Sequence, residues 1–226
     1  MVTVYKKGKL VYSDNTVADF PLPHIPAHLE KQARDTFHLP VLKAGDFENH
    51  RRRGIIGMVS GQIITEDRGY AEAVDTANDI LKMAVVERHK NTGHIGIGYL
   101  NGYGLKAGAV ATSVSHDSHN IICVGENDAD MAFAVNRITQ NHGGIVVVRK
   151  GEILAELPLE IGGIMSDKPL PEVNTLLERA KEAAYALGVG KDIDPFMTLS
   201  FMSLPVIPAV RLTTRGVVDV LTQQYI

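Results

Sequence analysis

The sequence predicts an α+β fold: a largely antiparallel sheet with two main helices, plus a small N-terminal β-hairpin and linker. Three observations carry that expectation. Apolar runs are joined by short turns more often than by strand-helix-strand crossovers. Only two segments carry a full apolar stripe at helical spacing. No internal repeat or low-complexity tract interrupts the pattern.

The elements follow in order. Val2-Thr3-Val4-Tyr5 alternates, Lys6-Lys7-Gly8-Lys9 turns, and Leu10-Val11-Tyr12 continues as the second arm of a hairpin. Pro21, Pro23 and Pro26, with His24 and His28 among them, then break regular structure, because each proline fixes φ and removes a donor. Residues 1–50 are expected to form this hairpin and linker, and residues 51–226 the main domain. Ile55 to Val59 and Ile63 to Thr65 read as a strand pair, and Ile80 to Glu87 as an apolar run ending in Glu87-Arg88-His89-Lys90. Ile95-Gly96-Ile97-Gly98-Tyr99-Leu100 alternates with glycine on one side, a flat face that lets another backbone or a ligand come close. Ala107 to Val114 and Ile121 to Val124 are two further apolar runs.

Asp128-Ala129-Asp130 opens the first helix, with Met131, Ala134, Val135 and Ile138 on one face and Gly143-Gly144 as its stop. Ile145 to Arg149 and Ile153 to Leu157 form a second hairpin around Lys150-Gly151. The second helix spans about Pro171 to Leu187, with Pro171 in its first turn and Gly188 as a left-handed cap.

Bulk properties exclude several function classes. The chain has 226 residues, 45% hydrophobic and 22% charged, enough for a real core. The 23 basic and 26 acidic residues leave a net charge of -3, so no basic face for nucleic acid is implied. Arg51-Arg52-Arg53 reads as a solvated loop. Cys123 is the single cysteine, so neither an internal disulfide nor a ribbon-type zinc is available. No secretory signal is visible and no apolar stretch approaches the ~18 residues of a membrane span, so the expectation is a cytoplasmic protein with no membrane partner.

The densest polar chemistry is Ser115-His116-Asp117-Ser118-His119-Asn120, set between two apolar runs. Wound as one helical turn, it puts His116 and His119 on one side as a pair of nitrogen ligands or a His-Asp proton relay; extended, it points them apart. A metal held by His116 and His119 would need a further ligand from elsewhere. The simpler reading is a tight turn capped by Asp117 and Ser118. Glu87-Arg88-His89 offers a second combination of acid, base and imidazole, alternatively a charged strand end that meets solvent. The chain lacks GxSxG, a P-loop, HExxH and the HxE with PCxxC of zinc deaminases acting on cytidine or tRNA adenosine.

Several of these stretches, taken together, resemble the C-terminal domain of bacterial adenine deaminases, members of the amidohydrolase superfamily. They are Asn78 to Lys82, Val86 to His89, Lys106 to Ala109, Ser115 to Asn120, Leu157 to Leu159, Gly162 to Asp167, Pro195 to Met197 and Leu204 to Pro208, in family order over roughly residues 55 to 220. Val2 to Tyr12 is similar to the strand pair that follows the barrel in such enzymes. The resemblance implies a part in hydrolysing adenine to hypoxanthine and ammonia. There a hydroxide on a divalent metal (Mn, Fe or Zn) attacks the ring at the mouth of a (β/α)8 barrel.

The family's first metal-binding signature is His-x-His. The nine histidines here are His24, His28, His38, His50, His89, His94, His116, His119 and His142, none two apart. No barrel is expected within these residues, which begin just ahead of the hairpin. The expectation is therefore a C-terminal piece of the enzyme, inactive alone, with no cofactor of its own. Its partners would be the barrel, and adenine in the intact enzyme. His116, Asp117, His119, Asn120 and Glu87 are its candidate supporting residues. The alternative is a structural or homo-oligomerisation module whose tip is only a turn.

Overall fold

A computed structural model describes residues 2–19 and 24–226. Pro21 and Pro23, expected to break the chain, lie outside the described residues. Packing divides the chain into two compact units, Met1–Lys31 and Gln32–Ile226.

In the first unit, strands β1 (Thr3–Lys6), β2 (Lys9–Ser13) and β3 (Thr16–Val17) form an antiparallel sheet. Its first turn takes left-handed φ at both Lys7 (+50°) and Gly8 (+76°), the geometry whose twist matches flanking antiparallel strands. Helix α1 (Ala27–Arg34) begins in this unit and ends in the next.

The second unit holds β4 (Arg53–Met58), β5 (Thr65–Ala71), β6 (Ile80–Val86), β7 (Ile95–Asn101), β8 (Ala109–Thr112) and β9 (Ile121–Gly125). Helix α2 (Asp128–Gln140), β10 (Gly144–Arg149), β11 (Glu152–Pro158), α3 (Leu170–Ala186) and α4 (Pro195–Phe201) follow. The chain ends in β12 (Val210–Thr213), β13 (Gly216–Asp219) and β14 (Gln224–Tyr225). The eight-stranded sheet runs β11-β10-β8-β9-β6-β7-β4-β5, and only the β4–β7 pairing is parallel. The fold is α+β, as the hairpin pattern implies.

The central strands are apolar on both faces because both faces are covered. Met83, Val85, Ile122, Val124 and Val147 face α3, α4 and the β12–β13 hairpin. Their alternates Ala84, Val86, Ile121, Cys123, Val146 and Val148 face α2. Asn127 caps α2 by accepting the Asp130 N–H at 2.8 Å, and Met131, Ala134, Val135 and Ile138 are buried as the stripe requires. Each of the larger three contributes about 1.5–3 kcal/mol by burial. Along α3, Ala180 and Ala184 are buried while Val173, Leu176 and Leu177 pack half-buried against the same core.

The flat face of β7 receives another backbone: a Cβ on Gly96 would overlap the Thr213 carbonyl, so the β12–β13 hairpin lies directly on it. Two boundaries differ from expectation. The second strand of the first pair begins at Thr65, leaving Ile63 and Ile64 exposed ahead of it, because the charged run Thr65–Ala71 serves as the sheet's edge. The division between units falls at Lys31, earlier than residue 50. Leu42 and Phe47 are already buried in the α2-side core, and Asn136 of α2 exchanges hydrogen bonds with the Leu42 backbone at 2.8 and 2.9 Å. Among the described residues no helix is long and apolar enough to cross a membrane.

Candidate functional site

The β8–β9 connection winds as a turn rather than running extended. The His119 N–H donates to the Ser115 carbonyl at 2.6 Å, which brings the His116 and His119 rings to one side with centroids 6.1 Å apart. His119 itself takes φ +49°, a left-handed conformation uncommon for a side-chain-bearing residue. Helix α4 anchors the other end of the turn. His116 stacks on Phe201 at 4.8 Å, its N–H donates to the Ser200 carbonyl at 2.9 Å, and the Ser115 and Ser203 hydroxyls lie 2.5 Å apart.

The remaining support comes from the end of β6. The Arg88 side chain is buried, and its guanidinium donates to carbonyls from three separate segments: His119 (2.5 Å), Thr36 (2.7 Å) and Gly162 (2.8 Å). A further bond reaches the Thr36 hydroxyl at 3.0 Å, and Phe37 lies under the cation at 4.2 Å. Burial pushes the guanidinium down to about 10, opposed by the nearby Glu87 charge, so it stays protonated at neutral pH. Next to it, His89 Nε2 lies 2.8 Å from the Ser118 carbonyl.

Glu87, a candidate from sequence, is not aimed at the tip. Its carboxylate accepts from the N–H groups of His89, Lys90 and Thr92 and from the Thr92 hydroxyl, closing the 89–92 loop. Burial raises this carboxyl, but those four bonds outweigh it and the net displacement is downward.

His116, Asp117, His119 and Asn120 are brought together by the turn. Two of their buried polar atoms, His119 Nδ1 and Asn120 Oδ1, have no hydrogen-bond partner among the described residues. Burial, then the neighbouring His116 and Arg88, hold the His119 imidazole below the ordinary histidine range. Asp117 is exposed, with Oδ1 3.8 Å from His116 Nδ1.

A cavity of about 390 Å³ opens beside Asp117 and Asn120; His116 and His119 do not line it. The tip supplies Asp117, Ser118 and Asn120 to its wall, Ser203 to Val206 follow α4, and Thr213 and Thr214 close it. That volume is in the range of small-molecule sites, roughly 300–1,000 Å³. As metal ligands, His116 and His119 lack company: among the described residues no group of three or more His, Cys, Asp or Glu side chains could hold an ion. These residues alone do not fit a resident divalent metal.

From sequence, Arg88 reads as one member of an acid, base and imidazole combination or as part of a charged strand end, not as the buried support of the tip. Nothing in its spacing marks it, since its partners at Thr36 and Gly162 lie far away along the chain. The one local signal is Gly162-Gly163: a Cβ on Gly163 would meet Arg88 Nη2 and Phe37 Cε2, each at 2.9 Å.

Comparison with known proteins agrees with the earlier resemblance. Residues 58–224 match the model of the adenine deaminase C-terminal domain. An adenine deaminase of Nitratidesulfovibrio vulgaris is 42% identical over 97% of this chain and 39% of its own length. One from Bacillus velezensis is 40% identical over 99% of this chain and 39% of its own. One from Brucella abortus is 44% identical over 83% of this chain and 34% of its own. The chain thus spans well under half the length of these relatives. With the matched region covering both faces of the eight-stranded sheet and the polar tip, the chain belongs to the adenine deaminase C-terminal domain family.

Proposed function

We propose that this chain is the C-terminal part of an adenine deaminase. In that reading its 115–120 tip supports an active site at the mouth of a metal-binding barrel carried by the rest of the enzyme. The reaction is hydrolysis of the exocyclic C–N bond of adenine to hypoxanthine and ammonia, with a divalent metal and the barrel as partners outside these residues. The observation that carries the reading is a cavity of suitable size walled by Asp117, Ser118 and Asn120, on a tip that holds two partnerless buried polar atoms, His119 Nδ1 and Asn120 Oδ1. Buried polar groups are rarely left unmatched, so such atoms point to a missing neighbour. On this reading the chain alone neither holds two metals nor deaminates adenine.

The test uses a full-length deaminase with this chain as its C-terminal part. Alanine at His116, Asp117 and His119, one at a time, is expected to lower kcat/KM for adenine by about tenfold or more in at least one variant. The rival is a structural or oligomerisation module, favoured by how many tip hydrogen bonds are spent within the chain itself. Unchanged steady-state constants in all three folded variants would establish that rival instead.

A further inference from the structure

We propose that Arg88 is the positioning residue of the 115–120 tip, a buried fork that fixes the His119 backbone to the Thr36 and Gly162 segments and so sets the His119 ring beside His116. The inference rests on the reading of the tip as part of a deaminase site, and its first test does not need that activity.

The geometry is specific to arginine. Nε donates to the His119 carbonyl, Nη1 to the Thr36 carbonyl and hydroxyl, and Nη2 to the Gly162 carbonyl, with the ring of Phe37 beneath. A planar fork can serve three acceptors in different directions at once, whereas a lysine ammonium is a single point on a flexible stem. Arg88 makes no ion pair with a carboxylate among the described residues, so it does not serve to bury a matched pair. Its charge is spent on carbonyls that belong to three loops. One of those loops is the tip, at the residue held in a left-handed conformation. Gly162 is itself tied back to Ala33 by its N–H at 2.6 Å, so the cradle reaches from the tip to the start of the unit.

A second consequence concerns the His119 ring. The groups that face it are His116, Arg88, Asp117 and His89. His116, Arg88 and His89 disfavour its charged form, while Asp117 favours it. Arg88 is the permanent cation among them, so removing it shifts His119 titration upward.

The experiment follows the histidine ring signals of the chain by two-dimensional NMR against pH, in the parent protein, Arg88→Met and Arg88→Lys. In Arg88→Met the His119 midpoint is expected to move up. In Arg88→Lys the charge stays but the fork is lost. The His119 amide, bonded to Ser115, is expected to exchange at least tenfold faster, and the His116–His119 ring proximity to weaken. Should Arg88→Met fail to fold, Arg88→Lys decides alone. An unmoved His119 midpoint in folded Arg88→Met, or parent-like His119 exchange and ring contact in Arg88→Lys, overturns the proposal. Steady-state kinetics on the full-length enzyme then separate the two ideas. If Arg88 controls the tip but both substitutions leave adenine turnover unchanged, Arg88 still positions the tip and the deaminase role of the tip is what fails.

Discussion

Two arginines are buried among the described residues, and they are treated very differently. Arg88 and Arg211 are 1% and 0% exposed, and burial pushes both guanidinium groups down to about 10. Arg88 finds acceptors with all three of its nitrogens, plus an aromatic face. Arg211, on β12, donates through Nη2 to the Ile63 and Pro208 carbonyls, while Nε and Nη1 have no partner among the described residues. Equal burial therefore does not mean equal purpose. A buried cation costs several kcal/mol to desolvate, and only geometry that satisfies its donors offsets that cost. The satisfied arginine sits where three loops, one of them the polar tip, converge, and the other holds one loop crossing.

The largest expected effect separates the two sites. Arg88→Met leaves the His119, Thr36 and Gly162 carbonyls unmatched and should cost about 3 kcal/mol of folding stability, a fall in Tm of roughly 6 to 12 °C. Arg211→Met removes an unmet charge as well as two bonds, so its stability should stay within about 1 kcal/mol of the parent or exceed it. Thermal and urea unfolding of the pair would measure both. Equal losses in the two variants would erase the distinction.

Gly163→Ala probes the same cradle without replacing the arginine. Gly163 has φ +77° and its added methyl would meet Arg88 Nη2 and Phe37, so a loss of about 2 kcal/mol is expected. A loss of only a few tenths in urea unfolding would mean that the Gly162 turn is not held by Arg88. Phe37→Leu should cost less, about 1 kcal/mol, from the lost cation–π contact. A double-mutant cycle with Arg88→Met should show the two effects to be coupled.

The smallest effect is a difference in acid response between the tip and the β10–β11 turn. Burial, His116 and Arg88 depress His119, so the folded chain binds this proton less readily than the unfolded one. The stability linked to it is complete above about pH 6.5 and is lost as pH falls through the depressed folded value. Asp130 is raised by burial, but bonds from Asn127, Gly151 and Lys150 outweigh this and leave it depressed. Its contribution is present above about pH 4 and is lost only below. Amide shifts followed on acidification should therefore move first at residues 115–120 and later at 150–151. The reverse order would contradict this.

The sheet, its hairpins and both long helices are legible in sequence because each rests on local signals. Period-two apolar runs, Lys-Gly turns at positive φ and the Met131-to-Ile138 stripe all act within a few residues. The tip was legible as a concentration of polar groups, yet its winding was open. What decides it is the His119–Ser115 bond together with Arg88 and α4, reached across dozens of residues. Helix α4 carries no long apolar stripe, since Asp194 caps its seven residues and its burial comes from the sheet beneath. The role of Arg88 is the least legible, because a charged residue at a strand end is ordinarily solvated and its acceptors are backbone atoms that no sequence pattern names.

The most direct measurement is kcat/KM for adenine in a full-length deaminase carrying this chain, with Arg88→Lys compared against Arg211→Lys. If the tip supports the active site and Arg88 holds the tip, the first substitution lowers kcat/KM by about tenfold or more and the second changes it by less than about twofold. Equal values for the two folded variants would contradict the account.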